Sequence, residues 1–133
     1  MILGIGIDLI NVDRVLNLLQ DFAQKFERKI FTASEIDKAQ KIIAQKRAIF
    51  YAKRFAAKEA FAKACGLGIG RGINFCDIEI YNDDLGKPFI RLLNDKEKFL
   101  QQHFGFGDQK IAIHLSLTDE EKVAQAMVVI EKL

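Results

Sequence analysis

The chain has 133 residues, half of them apolar and 29% charged, with a single proline and a formal charge of +2. That length suits one domain with its own buried core, and the apolar content excludes disorder. The charge is too mild for a nucleic-acid-binding face but leaves room for an anionic ligand or an acidic partner at a local patch. Cys65 and Cys76 lack CxxC spacing and build no disulfide framework, which points to a reducing compartment. No apolar run approaches the roughly 18–20 residues that span a bilayer. The start, Met-Ile-Leu-Gly-Ile-Gly-Ile-Asp, has neither the cationic stretch nor the cleavage site of a signal peptide. The expectation is a cytoplasmic protein of one domain, residues 1–133, with no nucleic-acid or membrane partner.

Residues 2–10 are short and rich in β-branched side chains, which predicts a strand. Leu3, Ile5, Ile7 and Leu9 make one face, and Ile2, Gly4, Gly6, Asp8 and Ile10 the other. Glycine inside a strand marks close approach of a backbone or a ligand. Two readings follow: a site beside the Asp8 carboxylate, or a helix packed on the glycines. Asn11 suits an N-cap. Val12, Val15, Leu16, Leu19, Phe22, Phe26 and Ile30 then recur at helical spacing. The polar side of this helix carries Arg14, Lys25, Arg28 and Lys29.

Thr32-Ala-Ser-Glu35 is a capping-box pattern, and the helix it opens runs to Cys65, with a break expected near residues 44–47 and a stop at Gly66. Within it, Lys58, Glu59 and Lys63 interrupt an Ala/Phe-rich stretch; Glu59 and Lys63 are one turn apart. A glycine-rich loop follows over 66–72. Strands are expected over 75–81 and 88–93, joined by the turn 82–88, then a helix over 95–104. Two more strands, 111–117 and 123–130, are joined by a turn over 118–122. The second-last strand puts His114 on its polar face. The fold class is α+β: one domain with a mainly antiparallel sheet packed against a long helix.

Asp8 and Glu59 are acidic residues in apolar segments, where a carboxylate calls for a positive partner. Two carboxylates suit Mg²⁺, which keeps waters and takes substrate phosphates as further ligands. Lys63, Arg54 and Lys87, with the glycine loop, add charge for phosphate. A metal, cations and no evident nucleophile together suit phosphoryl transfer. The residues alone leave the substrate open; another Mg²⁺-dependent phosphotransfer enzyme and a non-catalytic nucleotide-binding trimer stand beside it.

Two segments, Gly4-Ile-Gly-Ile-Asp-Leu-Ile and Arg54-Phe-Ala-Ala-Lys-Glu-Ala-Phe-Ala-Lys-Ala-Cys-Gly66, resemble the paired signatures of the holo-[acyl-carrier-protein] synthases, the short bacterial 4′-phosphopantetheinyl transferases. Asp77-Ile-Glu-Ile, Gly86-Lys-Pro88 and His114-Leu-Ser-Leu-Thr118 match in order, so the resemblance covers essentially the whole chain. It implies transfer of the phosphopantetheine arm of coenzyme A to a serine of apo-acyl carrier protein, in support of fatty acid biosynthesis. It implies Mg²⁺ on Asp8 and Glu59, and Lys63 at the pyrophosphate. Arg47, Arg54, Gly86, Lys87 and Pro88 would bind coenzyme A. It also implies a homotrimer with active sites between subunits. The base would be Glu59, directly or through water, with His114 behind it. An acidic carrier would dock on Arg14, Lys25 and Arg28. Leu85 replaces the asparagine common before Gly-Lys-Pro, and Asp119 a frequent histidine.

Overall fold

The computed structural model describes residues 1–133. Strand β1 (Ile2–Asn11) leads into helices α1 (Val12–Phe22), α2 (Gln24–Ile30), α3 (Ala33–Gln40) and α4 (Ala44–Ala64). A single 3₁₀ turn (Phe75–Asp77) precedes the hairpin β2 (Ile78–Asn82) and β3 (Pro88–Leu92); α5 (Lys96–His103), β4 (Ile111–Glu120) and β5 (Val123–Lys132) complete the chain. One antiparallel sheet has the order β1-β5-β4, and β2-β3 is a separate two-stranded sheet. This is the expected α+β class. No helix is long and apolar enough to cross a membrane.

Strand β5 is the central strand, and one of its faces is committed to the core. Its alternate residues Ala124, Ala126, Val128 and Ile130 are all buried against α4. Helix α4 meets them with small side chains, Ala52, Ala56, Ala60 and Ala64, so sheet and helix approach closely. The closest approach is at β1. A Cβ at Gly4 would lie 1.8 Å from the Ala64 carbonyl oxygen, and one at Gly6 would lie 1.9 Å from that of Ala60. The glycine face of β1 is therefore the packed one. Its apolar face, Ile5, Ile7 and Leu9, points outward at 62%, 51% and 64% exposure, beside Met127 of β5.

Several boundaries differ from those the sequence suggests. The helix expected over 12–30 divides at Ala23, whose φ of 45° ends α1 and starts α2. The capping box opens α3 as expected, with Thr32 and Glu35 bonded reciprocally, but the break before α4 falls at residues 41–43 rather than 44–47. Residues 75–77 form a 3₁₀ turn instead of a strand, because the Asp77 carboxylate accepts from the Asn74 N–H and folds the chain back. Strands β4 and β5 run further than expected and leave only Glu121 and Lys122 as the turn.

Candidate active site

The packing of β1 on α4 places the first constellation. Two strand residues rise about 6.6 Å and four helix residues about 6 Å, so the strand and helix stay in step. Gly4 meets Ala64, Gly6 meets Ala60, and Asp8 follows one step on, near enough for its charge to act on Glu59. Lys63, on the same helix, donates its ammonium to Asp8 Oδ1 at 3.1 Å and to the Ile7 carbonyl at 3.0 Å. Glu59 has no ion-pair partner. Its pKa is raised, first by burial and then by the charge of Asp8, against the pull of Lys63 and Arg14. Asp8, Glu59 and Lys63 thus come together as the sequence suggests. Two hard oxygen donors, one without a direct ion pair, fit Mg²⁺, and no group of three or more ligating side chains suggests a metal held by protein alone.

Glu59 also forms part of the wall of an apolar cleft of about 470 Å³ between α1, α2 and α4. Phe22, Phe26, Phe55 and Phe75 line it, and Arg14, Lys25 and Lys29 rim it. The Arg14 guanidinium stands 5.9 Å from the Phe55 ring centroid. Arg28 does not join this rim; it borders a separate cleft beside Cys76 on the other flank of α2.

A second constellation sits further up α4, around Arg54. This side chain is 4% exposed, and its guanidinium lies 3.6 Å from the Phe50 ring centroid. Arg54 Nη2 donates to Asn82 Oδ1 at 3.0 Å, whereas Nε is buried without a partner. Burial lowers its pKa to about 10, with Glu35 opposing. A cleft of about 450 Å³ opens there, walled by Phe50, Arg54, Asn82, Gly86 and Pro88, with Lys38, Lys41 and Lys53 at its edge. Asn82 Nδ2 donates to the Gly86 carbonyl, which fixes the hairpin turn against Arg54. Those three lysines and Asn82 carry no signal of their own in the sequence; they gather only through the fold. Asp119 holds Lys53 at 3.1 Å. Leu85 is 96% exposed at the hairpin tip.

Other candidate residues stand elsewhere. Arg47 donates to the carbonyls of Ala39, Gln40 and Ile42, where it satisfies the exposed end of α3. The Lys87 ammonium lies 5.2 Å over Phe89 and does not line the Arg54 cleft. His114 is on the outward face of the three-stranded sheet, with Nε2 2.9 Å from Glu131 Oε2, so it does not meet Glu59 within one chain. The glycine loop 66–72 lines neither cleft.

Sequence reasoning missed the buried acids. Glu35, Asp77 and Glu79 are the carboxylates below the surface, while Glu59 is only half-buried. Fully buried Lys58 donates to Glu35 Oε1 at 2.6 Å, to the Ile30 carbonyl at 2.8 Å and to the Phe75 carbonyl at 3.1 Å. Burial lowers its pKa, and Glu35 opposes that. One side chain thereby ties α4 to the end of α2 and to the 3₁₀ turn, two walls of the Glu59 cleft.

Comparison with known proteins adds to this geometry. Residues 4–116 match the family model of the 4′-phosphopantetheinyl transferase superfamily. The chain is 43% identical to the holo-[acyl-carrier-protein] synthase of Wolbachia pipientis subsp. Culex pipiens, over 98% of each chain. It is 44% identical to that of Rhizobium meliloti, over 100% of this chain and 94% of the relative. Among solved structures it is similar to the holo-[acyl-carrier-protein] synthase from Neisseria meningitidis, with TM-score 0.88 and 39% identity over 99% of this chain and 100% of that one. It is also similar to the Bacillus anthracis synthase in complex with CoA (3′,5′-ADP), with TM-score 0.81 and 37% identity over 100% and 99%.

Proposed function

The chain belongs to the 4′-phosphopantetheinyl transferase superfamily, and from that premise we propose that it is a holo-[acyl-carrier-protein] synthase. It transfers the 4′-phosphopantetheine arm of coenzyme A to a serine of apo-acyl carrier protein and releases adenosine 3′,5′-bisphosphate. The observation that carries this reading is the position of Glu59. It borders the metal-type pair with Asp8 and also the basic-rimmed apolar cleft, so a protein docked in that cleft presents its hydroxyl to the phosphate site.

The chemistry is displacement at phosphorus. The carrier serine oxygen forms the new P–O bond, and the bond from that phosphorus to the bridging oxygen of the bisphosphate product breaks. Positioning and charge neutralisation dominate such a step. Glu59, on the wall of the cleft that would seat the carrier, accepts the serine proton directly or through a water. Lys63 supplies positive charge to the diphosphate. Arg54, with an unsatisfied Nε and a cluster of lysines around it, receives the phosphorylated nucleoside end. Mg²⁺, when bound to Asp8 and Glu59, would screen the diphosphate and stabilise charge on the leaving oxygen. Arg14, Lys25 and Arg28 receive the acidic carrier, with Arg14 and Lys25 on the rim of the cleft itself.

The protein works as a homotrimer in the cytoplasm, in support of fatty acid synthesis. The outward row Ile5, Ile7, Leu9 and Met127 supports the assembly, since soluble monomers seldom expose so continuous an apolar strip. His114 lies on this same face, so it belongs near a subunit boundary. Two unpaired thiols suit a reducing compartment. The test is incubation with apo-carrier, coenzyme A and Mg²⁺, followed by the mass of the carrier. A gain of one phosphopantetheine supports the transferase; nucleotide binding with an unchanged carrier mass would contradict it.

A further inference from the structure

We infer that Lys63 is a displaceable counter-ion: Asp8 holds its ammonium until a divalent cation arrives, and cation binding then releases Lys63 toward the substrate phosphate. The inference rests on the reading of Asp8 and Glu59 as the Mg²⁺ pair.

Lys63 has two carboxylates within reach. Glu59 is one helical turn away, the spacing at which a lysine and a glutamate pair with least rearrangement. The ammonium instead crosses to the strand, to Asp8 Oδ1 at 3.1 Å and the Ile7 carbonyl at 3.0 Å. Strand β1 is an edge strand, so that carbonyl has no neighbouring strand to bond it. Lys63 therefore neutralises one carboxylate and satisfies one edge acceptor, and it leaves Glu59 without an ion-pair contact.

This arrangement is stable only without a cation. An Mg²⁺ ion held by Asp8 and Glu59 would compete with Lys63 for the Asp8 carboxylate and would repel the ammonium at short range. The lysine is free to leave, because its side chain is 54% exposed while that of Asp8 is 16% exposed. An ion pair so open to water is weak. Once displaced, Lys63 remains tethered to α4 beside Glu59, where its nearest uncompensated charge is an incoming phosphate. Linkage runs both ways: whatever draws Lys63 off Asp8 also raises the affinity of the pair for the cation. Cation and diphosphate then favour one another through Lys63, in addition to any direct contact between them.

The test follows the full-length protein by NMR, labelled with ¹⁵N and ¹³C and freed of metal with a chelator. The Lys63 ammonium signal, identified by its loss in Lys63→Arg, and the carboxyl carbons of Asp8 and Glu59 are recorded while MgCl₂ is added without coenzyme A. The expected result is that all three move together with one midpoint. If the carboxyl carbons move and the Lys63 signal does not, the displacement is overturned while the metal reading stands. If none moves, the metal reading fails and this inference with it. Calorimetry gives an independent measure. Lys63→Met lacks the competitor and should bind Mg²⁺ about threefold tighter or better in the absence of coenzyme A; equal or weaker binding overturns the inference.

Discussion

Lys58 and Glu35 meet at 2.6 Å with both side chains out of contact with water, although 23 residues separate them in the chain. Glu35 spends its remaining capacity on the N–H groups of Thr32 and Ile80. A buried pair satisfied on every side is costly to break from one end, because the survivor is a buried charge without a partner. Lys58→Met should therefore lower stability by about 3–5 kcal/mol in chemical denaturation. A loss below about 1 kcal/mol would mean that the pair is open to water in solution.

Gly6 offers a backbone test of how Asp8 is placed. A Cβ there would overlap the Ala60 carbonyl at 1.9 Å, and the obstacle is backbone, which has no rotamer to change. Gly6→Ala should push β1 off α4, cost about 1–3 kcal/mol, and weaken Mg²⁺ binding because Asp8 moves with the strand. Ile5→Ala on the exposed face of the same strand should leave the metal affinity of the isolated chain unchanged. Equal effects of the two substitutions on metal affinity would detach Asp8 placement from the glycine contact.

The alternation of β1 was legible in the sequence, and a helix packed on Gly4 and Gly6 was one of the two readings it offered; the exposure of the opposite, apolar face was not legible. Ile5, Ile7 and Leu9 look like a core face, yet the glycines go inward because only they admit the carbonyls of α4. The break at Ala23 carried no signal either, since alanine in a left-handed conformation is held by its surroundings rather than by preference. Residues 75–77 have strand-like composition, and the Asp77 bond to the Asn74 N–H overrides it. At the site, Asp8 and Glu59 were legible as carboxylates in apolar segments, and Lys63 as the lysine one turn from Glu59. Lys38, Lys41, Lys53 and Asn82 were not, because three separate elements supply them.

Glu59 makes stability depend on pH in a defined direction. Its pKa lies above the ordinary 4.5, chiefly through burial and then through Asp8. Between 4.5 and the raised value the folded chain binds more protons than the unfolded one, so stability falls as pH rises through that window. Above it, ionised Glu59 is a standing cost. In chelator, Glu59→Gln should raise Tm at neutral pH, and the gain should vanish below pH 4.5. Excess Mg²⁺ should stabilise the parent and not the variant. A gain in Tm of the same size at both pH values would trace it to something other than the carboxylate.

Assembly can be tested on the outward strip. Ile7 faces Met127 across the strand pair, and both are exposed in the isolated chain. A second copy covering them would bury the strip; an aspartate placed there would be buried without a partner. Ile7→Asp should reduce the light-scattering mass from three chains to one, with the far-ultraviolet spectrum retained and turnover lost. A parent mass of one chain at full activity would contradict a shared-site trimer.

The two basic flanks of α2 make different predictions for the carrier. Lys25 is on the rim of the Glu59 cleft with Arg14, whereas Arg28 borders the cleft beside Cys76. An acidic partner seated over Glu59 feels the first group at close range and the second only through screened distance. Lys25→Glu should raise the carrier KM on the order of tenfold, and Arg28→Glu should raise it much less. Rim charges act mainly on association rate, so the Lys25 effect should shrink as salt rises, with the coenzyme A KM unchanged. Arg14→Glu, on the same rim, should raise the carrier KM with the same salt dependence as Lys25→Glu. Equal effects of Lys25→Glu and Arg28→Glu, at low and high salt alike, would move the docking surface off the Glu59 cleft and onto the open side of α2.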